Sequence, residues 1–176
     1  MERKALNILL LEDLKTDVEL LKRAVLKLAP GSMFTVASSE EEFKERLTWS
    51  SYDMVIADYR LPTYNGLEAL LLVRSQYPEL PFIFCTGSLN DEEEVAQTIL
   101  HGANGYILKR DMKQFGTRFS KALDRIEKEQ QQREDRAEKE RQKAIKLQKL
   151  SALLEQSADF PEKANLQSIV GELLEL

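Results

Sequence analysis

Apolar and polar residues alternate along this chain in blocks whose period switches between short continuous runs and helical spacing. Residues 6–11 (Leu-Asn-Ile-Leu-Leu-Leu) form a short, mostly apolar run of the kind expected for a buried strand. Behind it, Val18, Leu21, Val25 and Leu28 recur at helical intervals until Pro30-Gly31, and Thr16 with Glu19 has the spacing of a capping box. The grammar repeats. Residues 33–37 predict a strand and Ser39 with Glu42 caps a second helix; residues 53–58 predict a third strand, followed by a helix over about 66–77. A fourth strand is expected over 81–86, a helix over 91–101 closed by Gly102, a fifth strand over 105–109, and a further helix from about Met112. Strands separated by single helices require helical crossovers, which makes the sheet parallel and covers both its faces. The expected fold is a doubly wound, five-stranded α/β domain.

The helix that begins near Met112 does not stop where such a domain should end. Alternating steps of four and three connect Phe119, Leu123, Ile126, Gln130, Arg133, Ala137, Glu140, Ala144, Leu147, Ser151 and Leu154, and seven of these eleven are apolar. This is heptad spacing with a polar middle. A two-stranded parallel coiled coil is the preferred expectation, and a solvated single helix held by Glu–Lys and Glu–Arg pairs is the alternative. Asp159-Phe160-Pro161 should break the helix, and Leu166, Ile169, Val170, Leu173 and Leu174 mark one more short amphipathic helix. The expected organisation is a domain over 1–125, a linking helix over 126–158 and a terminal helix over 159–176, which would either pair with its copy or open a downstream domain.

Composition narrows the function classes. A chain of 176 residues holds one ordinary core and an appendage, since single cores usually take about 100–150 residues. The net charge of -5 provides no general basic field for nucleic acid or anionic lipid, so a DNA-binding output is disfavoured. No run is long enough for a membrane span, and the apolar start meets Glu12 and Asp13, unlike a signal peptide. The lone Cys85 cannot form an internal disulfide, and a cytoplasmic protein is expected. The chain lacks a Gly-x-x-x-x-Gly-Lys loop, a zinc-ligand cluster and a Gly-Gly cyclase signature. Its only histidine, His101, precedes Gly102 and is expected to be structural, so a complete histidine kinase is excluded.

The chemistry is expected at the carboxyl ends of the strands, where open parallel sheets bind ligands. Glu12 and Asp13 follow the first strand, Asp58 ends the third, Thr86 the fourth and Lys109 the fifth. Clustered carboxylates with oxygen-only ligands suit a hard cation such as Mg2+. A carboxylate there could attack phosphorus while the metal and Lys109 neutralise the phosphoryl oxygens and Thr86 donates a hydrogen bond. Each residue also has a plainer explanation: a strand-end Asp is usually a turn residue, Glu12 and Asp13 would favour a helix amino terminus, and Tyr106 could be an ordinary strand aromatic.

Taken together, Leu9-Leu10-Leu11-Glu12-Asp13, Asp58-Tyr59-Arg60-Leu61-Pro62 with Gly66, Thr86-Gly87, and Gly102-Ala103 leading to Tyr106-Ile107-Leu108-Lys109 resemble the receiver domain of bacterial response regulators over about residues 5–125. The resemblance implies a strand order of 2-1-3-4-5 and Asp58 as the acceptor of a phosphoryl group from a histidine kinase or phosphotransfer protein. It also implies Mg2+ held by Glu12, Asp13, Asp58 and the Arg60 carbonyl, phosphoryl contacts from Lys109 and Thr86, and Tyr106 as an aromatic switch following Thr86. Control of dephosphorylation would lie partly in Arg60 and Ser88. Arg110 stands where the family usually has a cis-proline, so a trans bond is expected. Lys109-Arg110-Asp111 is similar to receivers fused ahead of sensory and histidine-kinase modules. The chain would therefore be either a receiver signalling through its helix as a homodimer or the front of a hybrid sensor kinase leading into a GAF- or PAS-type domain. A phosphorylation-silent dimerisation scaffold is the third alternative.

Overall fold

In the computed structural model of the chain, residues 3–87 and 100–175 are described; most of the helix expected over 91–101, and Ser88, lie outside them. The strands are β1 (Asn7–Leu11), β2 (Met33–Ala37), β3 (Met54–Ala57), β4 (Phe82–Thr86) and β5 (Gly105–Leu108). They form one sheet in the order β2-β1-β3-β4-β5, and every pairing is parallel. The expected doubly wound sheet and its strand order are both present. The helices are α1 (Lys15–Leu26), α2 (Glu40–Leu47), α3 (Gly66–Gln76), α4 (Met112–Gln156) and α5 (Lys163–Glu175).

Side chains along a strand alternate between the faces of the sheet, and here each face has its own core. Ile8 and Leu10 of β1, with Ile83 and Cys85 of β4, pack among Val18, Leu21 and Val25 of α1 and Phe115, Phe119, Leu123 and Ile126 of α4. Leu9 and Leu11, with Phe82 and Phe84, pack among Phe43 and Leu47 of α2 and Ala69, Leu70 and Val73 of α3. Burial on both faces is why these strands read as continuous apolar runs.

At the amino ends of β4 and β5 a single guanidinium ties three segments together. Arg74 donates to the Leu80 carbonyl (2.7 Å), the Gly102 carbonyl (2.8 Å) and Asn104 Oδ1 (3.0 Å), and Asn104 Oδ1 also accepts from the Phe82 amide (2.8 Å). Gly102 makes its turn at a φ of 90°, a conformation that favours glycine.

Two local expectations change. Thr16 does not cap α1: the helix starts at Lys15, its N-cap is Leu14, and no side chain caps it. Instead Glu12 Oε1 accepts from the Leu14 amide (3.2 Å), so a carboxylate at the strand end fixes the entry to the helix. At α2, Ser39 does cap by accepting from the Glu42 amide, but Glu42 reaches back to the amide and hydroxyl of Ser38.

The first three positions of the heptad path have a role inside the α/β unit. Phe119, Leu123 and Ile126 are core residues of the α/β unit, which accounts for their spacing without a partner helix. The chain divides into two compact units, Met1–Ile126 and Glu127–Leu176. Within the second, every residue from 130 to 146 is exposed. α4 ends at Gln156, Lys163 of α5 donates to the Ser157 carbonyl (2.6 Å), and Leu154 and Val170 are buried. Among the described residues no helix is long and apolar enough to cross a membrane.

Candidate functional site

The register of the parallel strands brings four chain segments to one edge. Leu11 is paired with Ala57 and Ala57 with Phe84, so Glu12 and Asp58 emerge side by side; Thr86 is paired with Leu108, the residue before Lys109. The Asp58 amide donates to the Leu11 carbonyl (2.8 Å) and the Glu12 amide to the Ala37 carbonyl (2.9 Å), so the backbone stays in ladder as the acidic side chains begin.

Lys109 organises the site. Its Nζ donates to Glu12 Oε2 (2.6 Å), Asp17 Oδ2 (2.6 Å) and Asp58 Oδ2 (2.7 Å). The Lys109 side chain is 11% exposed, Glu12 1%, Asp58 11% and Asp17 25%. Burial raises the Glu12 pKa above the ordinary carboxylate value, and the Lys109 ammonium only partly offsets it. Burial works to lower the Lys109 pKa, but its bonds to Asp17, Asp58 and Glu12 outweigh that and lift it above the usual lysine value. Lys109 therefore stays protonated throughout the neutral range.

Sequence reasoning placed Glu12, Asp58 and Lys109 together, and the structure brings these three into direct contact. Asp17 was missed. An acidic residue in the first turn of a helix is common for dipole reasons, so nothing at the sequence level separated it from its neighbours. Asp13 is half-buried and is not among the partners of Lys109. Thr86 is buried at the end of β4, and Tyr106 is partly buried against the cluster that holds Tyr59 and Phe84. Arg110 lies in a short 3-10 turn, Lys109–Asp111, and the Lys109–Arg110 bond is trans.

The loop after Asp58 is closed tightly. The Arg60 amide donates to Asp58 Oδ1 (3.3 Å), Arg60 bridges to Asn65, and the Gly66 amide donates to the Tyr59 carbonyl (2.9 Å). A Cβ on Gly66 would lie 2.4 Å from the Asp58 carbonyl oxygen, so only glycine lets α3 start this close to Asp58.

Among the described residues, no group of three or more His, Cys, Asp or Glu side chains is placed so as to hold a metal ion. The donors nonetheless have the chemistry that suits a hard dication: they are oxygen-only, and the carboxyl groups of Glu12, Asp17 and Asp58 converge on the single Lys109 ammonium.

Cys85 lies behind this cluster, fully buried. Burial pushes its thiol pKa up to about 12; Lys109 pulls it down while Asp58, Glu12 and Asp17 push it up. A thiol that stays protonated is a poor nucleophile. At pH 8 the folded protein is expected to leave an aromatic disulfide reagent unreduced for hours and to react with one equivalent once unfolded in denaturant. Fast labelling of the folded protein would contradict this environment.

Comparison with known proteins supplies a second line of information. The family model described as Response regulator receiver domain matches residues 8–118. Among curated relatives, the transcriptional regulatory protein LnrK of Bacillus subtilis is 32% identical over 75 residues, covering 43% of this chain and 33% of that protein. A protein-glutamate methylesterase/protein-glutamine glutaminase of Paramagnetospirillum magneticum is 31% identical over 91 residues, covering 52% of this chain and 26% of that protein. The chain thus spans a third or less of the length of either relative. In fold it is similar to the signal receiver domain of an HD-domain protein from Pseudomonas fluorescens, with a TM-score of 0.61 at 22% identity over 74% of this chain and 96% of that one. NtrX from Brucella abortus gives a TM-score of 0.65 at 20% identity, over 74% of this chain and 29% of that one.

Proposed function

The chain belongs to the response-regulator receiver family, and from that premise we propose that it takes a phosphoryl group from a phosphohistidine onto Asp58 and passes the change into α4. The observation that carries this reading is the 2.7 Å bond between Lys109 Nζ and Asp58 Oδ2 at the carboxyl edge of the sheet.

In the step we propose, an Asp58 carboxylate oxygen attacks phosphorus, the P–N bond breaks, and its electron pair leaves with the imidazole nitrogen. The product is an aspartyl phosphate. Glu12, Asp13, Asp58 and the Arg60 carbonyl would hold Mg2+, which supplies positive charge to the phosphoryl oxygens. Lys109 adds an ammonium that is charged at any working pH, and the Thr86 hydroxyl donates to a phosphoryl oxygen. Tyr106, packed beside Phe84 in the same layer, follows the movement of Thr86. Residues 1–125 act as the receiver, 126–158 as the signalling helix, and 159–176 as a short amphipathic helix.

Because Phe119, Leu123 and Ile126 already serve the receiver core, the apolar positions left on the heptad path along α4 are Ala137, Ala144, Leu147 and Leu154, beside which Ile145, Leu150 and Leu153 are exposed and Leu154 is buried.

Incubation with Mg2+ and acetyl phosphate, followed by intact mass measurement, should yield one phosphoryl adduct. The adduct should be absent without Mg2+ and absent from Asp58→Asn. No adduct under conditions that label a control receiver would remove this reading and favour a phosphorylation-silent scaffold.

A further inference from the structure

Lys109 has no hydrogen to spare. An ammonium carries three N–H donors, and Glu12, Asp17 and Asp58 take all three at 2.6–2.7 Å. A phosphoryl group arriving on Asp58 brings new acceptor oxygens, so Lys109 can donate to them only by giving up a present partner. The three are not equally easy to release. Glu12 is 1% exposed, so parting it from Lys109 leaves a buried carboxylate that needs another cation as its partner. Asp58 carries the incoming group, so the ammonium must stay near it. Asp17 is the most exposed of the three at 25%, and it sits in the first turn of α1, where the helix dipole favours a free carboxylate.

We propose that Asp17 is a positioning residue that acts through Lys109: it holds the ammonium between α1 and Asp58, and phosphorylation exchanges this bond for one to a phosphoryl oxygen. The proposal rests on the phosphoacceptor reading of Asp58. It gives phosphorylation a second route outward, since loss of the Asp17 bond unties the first turn of α1, whose Asp17 and Val18 amides both bond the Leu14 carbonyl (2.9 and 3.0 Å).

The test compares the full chain with Asp17→Asn and Asp17→Glu at saturating Mg2+, using acetyl phosphate as donor and intact mass as the clock. Asp17→Asn should phosphorylate about tenfold faster, the equivalent of one charge-assisted bond no longer surrendered on the way to the transition state. Asp17→Glu, which keeps a carboxylate within reach of Lys109, should stay near the native rate. Hydrogen exchange provides the readout that a merely structural role would not move. In the native chain, amides 17 and 18 should exchange faster once Asp58 is phosphorylated, whereas in Asp17→Asn they should exchange fast beforehand and change little. A phosphorylated native chain with Asp17→Asn unaltered in both rate and exchange overturns the proposal alone. No adduct on either protein overturns the phosphoacceptor reading and this proposal with it.

Discussion

Replacing Lys109 with methionine is expected to lower the unfolding free energy by about 3–5 kcal/mol at pH 7, because it removes the cation from a buried ion cluster and leaves the carboxylates uncompensated. Methionine retains much of the aliphatic stem, so the loss reports charge more than packing. The dependence on pH tests the cause. The folded pKa of Glu12 is raised, so its ionisation opposes folding: the folded state is favoured while Glu12 is protonated, and this advantage is lost as pH rises above the ordinary Glu value. Without Lys109 the opposition grows, so the deficit should be large at pH 7 and shrink as pH falls toward 4.5. For Lys109 itself the raised pKa contributes stability that is present throughout the range below its unfolded value and lost only in strong alkali. Urea titrations of both proteins at pH 7 and pH 4.5 decide the matter. Equal deficits at the two pH values would mean that Lys109 stabilises by packing and not by neutralising Glu12, Asp17 and Asp58.

Gly66→Ala should cost about 3 kcal/mol, at the upper end of what overpacking does, although alanine in a first helical turn normally stabilises. The added Cβ would meet the Asp58 carbonyl at 2.4 Å, the Tyr59 Cα at 2.9 Å and the Phe84 ring at 2.9 Å. Two of these are backbone atoms, which cannot turn aside as a flexible side chain would. Relief must come from moving the start of α3 or the turn that carries Asp58, so phosphoryl uptake should fall together with stability. Gly116→Ala is the control: it lies inside α4, its Cβ would meet only Leu28 at 3.7 Å, and it should stabilise by about 0.5–1 kcal/mol. If thermal melts and phosphorylation assays show the two substitutions behaving alike, the close approach of α3 to Asp58 is not what requires glycine at 66.

Much of the α/β unit was legible because its physics is local. Strands buried on both faces appear as unbroken apolar runs, and among the described residues β1, β2, β3 and β5 are each followed by a helix. The gathering of Glu12, Asp58, Thr86 and Lys109 at one edge followed from their places at the carboxyl ends of parallel strands, whereas the order of the strands rested on the resemblance to a family, and the sheet bears out that order. What escaped depended on contacts distant in sequence. Thr16 and Glu19 had the spacing of a cap, but Glu12 at the end of β1 already fixes the turn that a cap would have made. Asp17 could be identified as a partner of Lys109 only once α1 and β5 were set in space, 92 residues apart along the chain. Phe119, Leu123 and Ile126 are ambiguous in the sequence for a third reason. The buried face of a domain helix and the seam of a coiled coil share the same spacing over two turns, and the sequence does not mark where one gives way to the other.

The Arg74 tie turns the far side of the sheet into a pivot. It fastens the segments just before β4 and β5 to α3 and to each other, through Leu80, Gly102, Asn104 and Phe82. A strand anchored at one end moves most at the other. Thr86 and Leu108 lie about four residues from the anchor, a lever arm of roughly 13 Å at about 3.3 Å per residue. At that radius a tilt of only about 4° carries the strand tip through roughly 1 Å, the scale on which packed interfaces change state. The tie thus holds the end of β4 and β5 opposite to the one from which Thr86 and Lys109 reach the charged cluster.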